Sequence, residues 1–453
     1  MKKKKVIPKP EYEIPVDVEL PEGWKSVILE DYIYVAARIG WRGLKREEYT
    51  KEGPLFLAVK DIQENGFIDF QNVTDHLSEY RYDESPEIQL KEEDIIITKD
   101  GTIGKIGFVK DLPGKVTVNS SLLVVRPSSE ILPRYLFFYF KSPSFQKIVR
   151  ERITGSAVPH LFQKDIKKFR ILVPPLLEQQ RIVARVEALM ANINAARERL
   201  QRMPLIMKKF RQAVLAAACE GRLTEGWRGE TQDSDQFSIN CEDIGDTEYD
   251  SEIPVAWRLE KIKNVCETIV DCPHSTPKWT LNGEICLRTT NFKPGDLDLA
   301  EVRYVSHDTY LERISRLEPH ENDIVYSREG GILGIACIIP KGLKICLGQR
   351  MMLLRVDQTK TDPKFIQNFL NSPIVLKKIK DLIGGTSSPH LNVADVKNLC
   401  IPLPPLADQH EIIRRVEALF ARADAVEREV AAATKRADAL TQAVLAKAFA
   451  GKL

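Results

Sequence analysis

Two stretches of the chain carry a helical pattern of apolar residues over an unusual length. In the first, apolar positions fall at Ile182, Val186, Leu189, Ile193, Ala196, Leu200, Met203, Met207, Phe210, Val214 and Ala217. In the second they fall at Ile412, Val416, Leu419, Ala423, Val426, Val430, Ala433, Ala437, Leu440 and Val444. Steps of four and three alternate. The mean of about 3.5 is the spacing of a coiled-coil seam, and a helix lying on a globular core would drift to about 3.6. Small seam residues (Ala423, Ala433, Ala437) predict close approach of a neighbouring helix. At about 1.5 Å per residue, a helix of about 40 residues is on the order of 60 Å long. Pro204 interrupts the first stretch, where the second has Thr434. A proline removes one backbone hydrogen bond and crowds the preceding turn, so a kink is expected near Met203. Both stretches stop at a glycine, Gly221 and Gly451.

Ahead of each long helix the pattern changes to short β-rich runs between turn signals. DIIITKDGTIGKIGFV from Asp94 and SSLLVVRP from Ser120 have counterparts in DIVYSREGGILGIACIIP from Asp323 and MMLLRV from Met351. A helix follows Pro133 and another follows Pro363, each containing a Ser-Pro pair (Ser142-Pro143, Ser372-Pro373) that predicts a break into two. These parts read as globular α+β domains.

The whole arrangement is a repeat at an offset of 230 residues. PPLLEQQRIVARVEALMA from Pro174 and PPLADQHEIIRRVEALFA from Pro404 agree at 11 of 18 positions by direct count. QAVLAAACEGRL from Gln212 and QAVLAKAFAGKL from Gln442 agree at 8 of 12. GSAVPHL from Gly155 answers GTSSPHL from Gly385, and Pro21-Glu22-Gly23-Trp24 answers Pro254-Val255-Ala256-Trp257. A unit this long is a domain plus a helix used twice, and no solenoid repeat. The expected order is an N-terminal basic arm (1–19), a globular domain (20–173), the first long helix (174–223), an acidic linker (224–252), a second globular domain (253–403) and the second long helix (404–453). The linker holds ten Asp/Glu and one Arg, too polar to bury much surface.

With 66 Lys+Arg against 64 Asp+Glu, there is no global pull toward nucleic acid, so any basic surface is local. The basic start has no apolar core behind it and is not a secretory signal, and no apolar run is long enough to span a membrane. The eight cysteines form no CxxC pair, which fits a reducing cytoplasm. Cys272-Pro273-His274 is the nearest approach to a metal-ligand pair, and it reads as ordinary packing.

Catalytic patterns are missing. The Pro-Pro pairs are followed by leucine and start helices. GTIGKIG from Gly101 lacks the Gly-Lys-Ser/Thr of a phosphate loop, and no nucleophile triad or nuclease carboxylate cluster is apparent. A binding protein remains: two related heads on two related rods. Thr98, Lys99 and the equivalent Ser327, Arg328 stand beside glycines, where a cation can approach a phosphate or a guanine edge, although a solvated hairpin turn is an equal reading. Lys60 matches Thr290, and with Arg288 and Asn291 makes a second polar loop suited to base edges. His160 and His390 are shared between the repeats and read as scaffold.

The PPL…EQ…I…RVE…L segments, duplicated and followed by Phe210–Leu215, Leu223-Thr224-Glu225, Trp227-Arg228 and Thr441–Phe449, resemble the specificity subunit of type I restriction-modification systems over nearly the whole chain. The resemblance implies two target recognition domains, each reading one half of a split DNA sequence. It implies an antiparallel coiled coil between them with pseudo-twofold symmetry. It implies two modification subunits that methylate adenine with S-adenosylmethionine and two restriction subunits that use ATP and magnesium. On this reading the chain is a non-catalytic cytoplasmic protein with no cofactor of its own, and no membrane partner is expected. The helices are a ruler between half-sites, and Gln179, Arg185, Glu187, Arg211, Gln212, Gln409, Arg415, Glu417 and Gln442 are candidates for holding partner subunits. The first repeat's tail, Thr224–Arg228, has no counterpart after Leu453. Alternatives are a coiled-coil scaffold with degenerate heads and an enzyme of another type.

Overall fold

The computed structural model describes residues 20–38, 44, 46–153, 160–231, 238–239, 253–383 and 390–453. The expected basic arm and most of the expected linker lie outside them. The chain divides into two compact units. The first is residues 1–201 with 432–453, and the second is the continuous span 202–431.

In the first unit a four-stranded antiparallel sheet has the order Ile33–Ala36, Leu122–Pro127, Ile95–Thr98, Ile106–Phe108. Ile95, Ile96 and Ile97 are all buried, so the strand is covered on both faces. Thr50–Leu57 pairs in parallel with Val116–Val118, and Lys25–Ile28 pairs antiparallel with Arg170–Val173. The helices Pro133–Lys141 and Pro143–Ile153 are separated at Ser142-Pro143 as the Ser-Pro pair predicts, each beginning with proline, whose absent N–H would have had no helical partner.

The second unit repeats this plan internally. Its antiparallel sheet has the order Cys266–Asp271, Met351–Val356, Ile324–Ser327, Ala336–Ile338. Glu284–Leu287 runs parallel to Ile345–Leu347, Arg258–Lys261 pairs with Cys400–Leu403, and the helices are Pro363–Leu370 and Pro373–Ile383. Each sheet is pinned by a forked ion pair. Arg126 Nε and Nη2 donate to Asp94 at 2.7 and 2.8 Å, and Arg355 Nε and Nη2 donate to Asp323 at 2.9 and 2.7 Å. In each pair the aspartate is almost fully buried.

The long helices run Leu176–Cys219 and Leu406–Ala448, and Pro204 lies inside the first without ending it. Within the first unit, Arg197 Nη2 donates to Asp438 at 2.7 Å and to the Thr441 hydroxyl at 2.9 Å, while Arg181 reaches the Leu453 carbonyl at 3.1 Å. Moving toward the N-terminus on one helix meets residues nearer the C-terminus on the other, so the segments are antiparallel. Within the second unit Arg211 meets Asp424 and Glu427, and Arg415 meets the Leu223 carbonyl, again antiparallel. Ile182, Val186 and Ile193 join the first unit's core with Val444, Leu445, Ala448 and Phe449. Val214, Leu215, Ile412 and Val416 join the second's. The expected seam is interrupted. Ala196, Val426 and Leu440 are exposed, and the half-buried Arg197 takes the place beside Ala196.

Candidate nucleic-acid interface

Of the residues expected to face nucleic acid, four are buried in the scaffold. Thr98 accepts from Lys105 N at 2.9 Å and donates to the Thr102 carbonyl, closing the turn that follows its strand. Ser327 does the same, accepting from Ile335 N at 2.9 Å. Neither hydroxyl is available to a groove, since both residues are fully buried. Arg328 is held by Asp271, by Glu329 and by the Leu391 carbonyl. Asn291 accepts from Arg288 N at 3.0 Å and donates to the carbonyls of Asp298 and Glu301, acting as the cap of its own short turn. Asp61, at the equivalent place, accepts from Ala58 N at 2.8 Å. In all four the side chain is engaged by local backbone or a distant carboxylate.

The other four are nearer solvent. Lys60 is exposed and pairs with Asp75 at 2.9 Å. Hydrogen bonding to that carboxylate pushes its pKa up, which keeps it charged. Thr290 is exposed, and Lys99 and Arg288 are half-buried. The loop Lys99–Gly101 is tied down by Leu161 N, which donates to the Lys99 carbonyl at 3.1 Å, and by His160 Nδ1 against Asp100. In the second unit Leu391 N donates to the Arg328 carbonyl at 2.8 Å, and His390 bridges Glu329. In both units, then, the shared histidine segment is tied to the loop that follows the strand Ile95–Thr98 or Ile324–Ser327.

The helix residues divide similarly. Gln179 is fully buried. Its Oε1 accepts from Leu132 N at 2.8 Å, and its Nε2 donates to the carbonyls of Glu130 and Pro174, both at 2.9 Å. Gln409 repeats this with Asp362 N at 2.8 Å, the Thr361 hydroxyl at 2.9 Å and the Pro404 carbonyl at 2.8 Å. These glutamines fasten each long helix to its own globular domain and are not open to a partner. Glu187 accepts from Arg134 Nε at 2.7 Å, and Glu417 pairs with Lys364 at the equivalent place. Arg211 and Arg415 are engaged within the second unit as described, and Gln212 is half-buried there. Arg185, Glu417 and Gln442 are exposed.

Sequence reasoning passed over two exposed stretches, the start of the strand Thr50–Leu57 and the bend Leu281–Gly283 after Thr280, although both carry Thr-x-x-Gly at the repeat offset. Among the described residues no group of His, Cys, Asp and Glu is arranged to hold a metal ion. Cys272 is buried with its thiol pushed up by desolvation, and His274 lies 3.0 Å from Asp271. No helix of the described residues is long and apolar enough to cross a membrane.

The scaffold agrees with known proteins. Residues 48–202 and 254–433 match the family described as type I restriction modification DNA specificity domain. The specificity subunit of the type I restriction enzyme EcoBI from Escherichia coli is 31% identical over 324 residues, which span 70% of this chain and 65% of that protein. The EcoKI specificity subunit from Escherichia coli K12 is 27% identical over 445 residues, covering 96% and 90%. Among solved structures, a chain of a type I R-M system superposes with a TM-score of 0.66 at 20% identity, covering 96% of this chain and all of that one. The HsdS subunit from Thermoanaerobacter tengcongensis gives 0.56 at 21% identity, covering 97% and 99%. With two matched regions that together span most of its length, the chain belongs to the type I restriction-modification DNA specificity family.

Proposed function

We propose that this chain reads a split, asymmetric DNA sequence for a type I restriction-modification enzyme, one half-site per globular domain. The observation that carries the reading is the contrast within the repeat. The fastening residues recur as near-identical contacts: Gln179 and Gln409, Asp94 and Asp323, Glu187 and Glu417. The solvent-facing positions differ, as Lys60 against Thr290 and Lys51 against Leu281. A common frame with different faces suits two unlike half-sites.

The chain itself is non-catalytic on this reading. Its long helices recruit two modification subunits, adenine-N6 methyltransferases, and two restriction subunits, and they set the gap between half-sites. S-adenosylmethionine, ATP and magnesium would be bound by those partners, in the cytoplasm. Arg185, Gln442 and Glu417, exposed on the helices, are the recruitment candidates that the fold leaves accessible.

Adenine methylation mapped across the genome of a host carrying the system, with and without this chain, tests the proposal. One bipartite motif that disappears with the chain is expected. Methylation without any split motif that depends on the chain refutes it and favours a scaffold with degenerate heads.

A further inference from the structure

In the second unit the strands Trp279–Thr280 and Glu284–Leu287 lie on opposite sides of Arg303–Val305, and Tyr304 and Val305 pair with both. Leu281, Asn282 and Gly283 must therefore cross from one side of that strand to the other. So short a crossing runs close to the backbone beneath it. A Cβ on Gly283 would stand 2.2 Å from the Val305 carbonyl oxygen, and its φ of +134° is one that other residues rarely adopt. The Thr280 hydroxyl donates to the Asn282 carbonyl at 2.7 Å and holds the turn. A side chain at 281 has nowhere to go but outward, and Leu281 is 99% exposed.

The first unit repeats the glycine and threonine contacts at the start of one continuous strand, Thr50–Leu57. Thr50 and Leu55 both bridge to His76. A Cβ on Gly53, at φ +119°, would meet the Leu77 carbonyl oxygen at 2.4 Å, and the Thr50 hydroxyl donates to the Glu52 carbonyl at 2.8 Å. The residue placed outward is Lys51, which is exposed.

The segment is thus constrained twice by the same glycine and threonine, while the residue it presents changes from a cation to a leucine. Constraint limits the ordering cost of binding, and variation at one presented position is what two different half-sites require. The second tip is flanked by exposed Lys278, just before the strand Trp279–Thr280, and by exposed Arg303 on the strand it crosses, the latter stacked 5.2 Å from the Trp279 ring centroid. Cations around a protruding apolar side chain match a DNA groove, where phosphates flank a thymine methyl or an opened base step. A protruding lysine matches a phosphate or a guanine edge. We propose that these tips are sequence-reading points, with Leu281 contacting bases of one half-site and Lys51 contacting the other; the inference rests on the DNA reading proposed above.

The test uses the chain assembled with its modification subunits, comparing wild type with Leu281→Asp, Leu281→Ala and Lys51→Ala on the mapped duplex. Because both tips are in solvent, thermal unfolding should be unchanged. Leu281→Asp should weaken binding roughly tenfold or more and alter base preference in one half-site only, with Leu281→Ala intermediate. Lys51→Ala should lower the slope of log affinity against log salt by about one and affect the other half-site. Affinity, salt slope and methylated motif all unchanged would overturn the tips while wild-type motif dependence keeps the DNA reading intact. Lost assembly with the modification subunits, with DNA binding of the assembled fraction undiminished, overturns them as well and gives the tips to a protein partner. Wild-type methylation without a split motif removes the DNA reading itself, and the tips with it.

Discussion

The guanidinium of Arg328 lies against the carboxylate of Asp271, with Nε to Oδ1 at 2.8 Å and Nη2 to Oδ2 at 2.9 Å. Nη1 donates to the Leu391 carbonyl at 3.0 Å, so three sides of the fork are occupied. An arginine beside a glycine-rich turn is in this case a strut between a strand end, a loop and the segment at Leu391.

Arg328→Ala should therefore act on stability before it acts on DNA. It leaves Asp271, whose side chain is 16% exposed, facing His274 among the described residues. Breaking a buried pair by removing one partner typically costs about 3–5 kcal/mol. Urea denaturation of the chain should show a loss of that order, and Asp271→Asn combined with Arg328→Met should lose less. A change below about 1 kcal/mol would contradict the strut.

Gln179→Ala and Gln409→Ala should have matching effects. Each removes a carboxamide that satisfies one buried backbone N–H and two carbonyls at the start of a long helix. An orphaned buried polar group costs about 1–3 kcal/mol, so each variant should lose at least that much. Amide exchange should rise at Leu132 in one variant and at Asp362 in the other. Protection unchanged at those two amides would show that the helices are fastened otherwise.

Lys141 provides a pH dependence. Burial, with the Arg197 charge adding to it, lowers its pKa from 10.5 to about 8. Below about 8 both folded and unfolded forms hold the proton, and the desolvation cost is present in full. Between about 8 and 10.5 the unfolded chain keeps a proton that the folded unit has released, so stability should rise with pH across that window. Lys141→Gln should flatten this rise in denaturation profiles. A profile identical to wild type would exclude Lys141 as its source.

The helices, their glycine stops and the Ser-Pro breaks were legible because each depends on residues within a few positions. The buried candidates were not, because burial is decided far away. Nothing near Arg328 in sequence announces Asp271, 57 positions earlier. Asn291 looked like a base-reading amide, yet its oxygen caps a turn three residues long. A signal was available: Thr98 and Ser327 keep a hydroxyl at equivalent places, and the reasoning that made the shared histidines scaffold applies equally to them. The segments presenting Lys51 and Leu281 were missed because an exposed leucine or lysine resembles nothing until its setting is seen.

The first unit's core includes Val444, Leu445, Ala448 and Phe449, with Phe449 ringed by Tyr135 and Tyr139 at 5.1 and 5.5 Å. The second unit needs only the continuous span 202–431. Order of synthesis and order of completion are therefore reversed. On a ribosome the domain made first is completed only when residues 444–449 have emerged, while the domain made later needs no segment beyond residue 431.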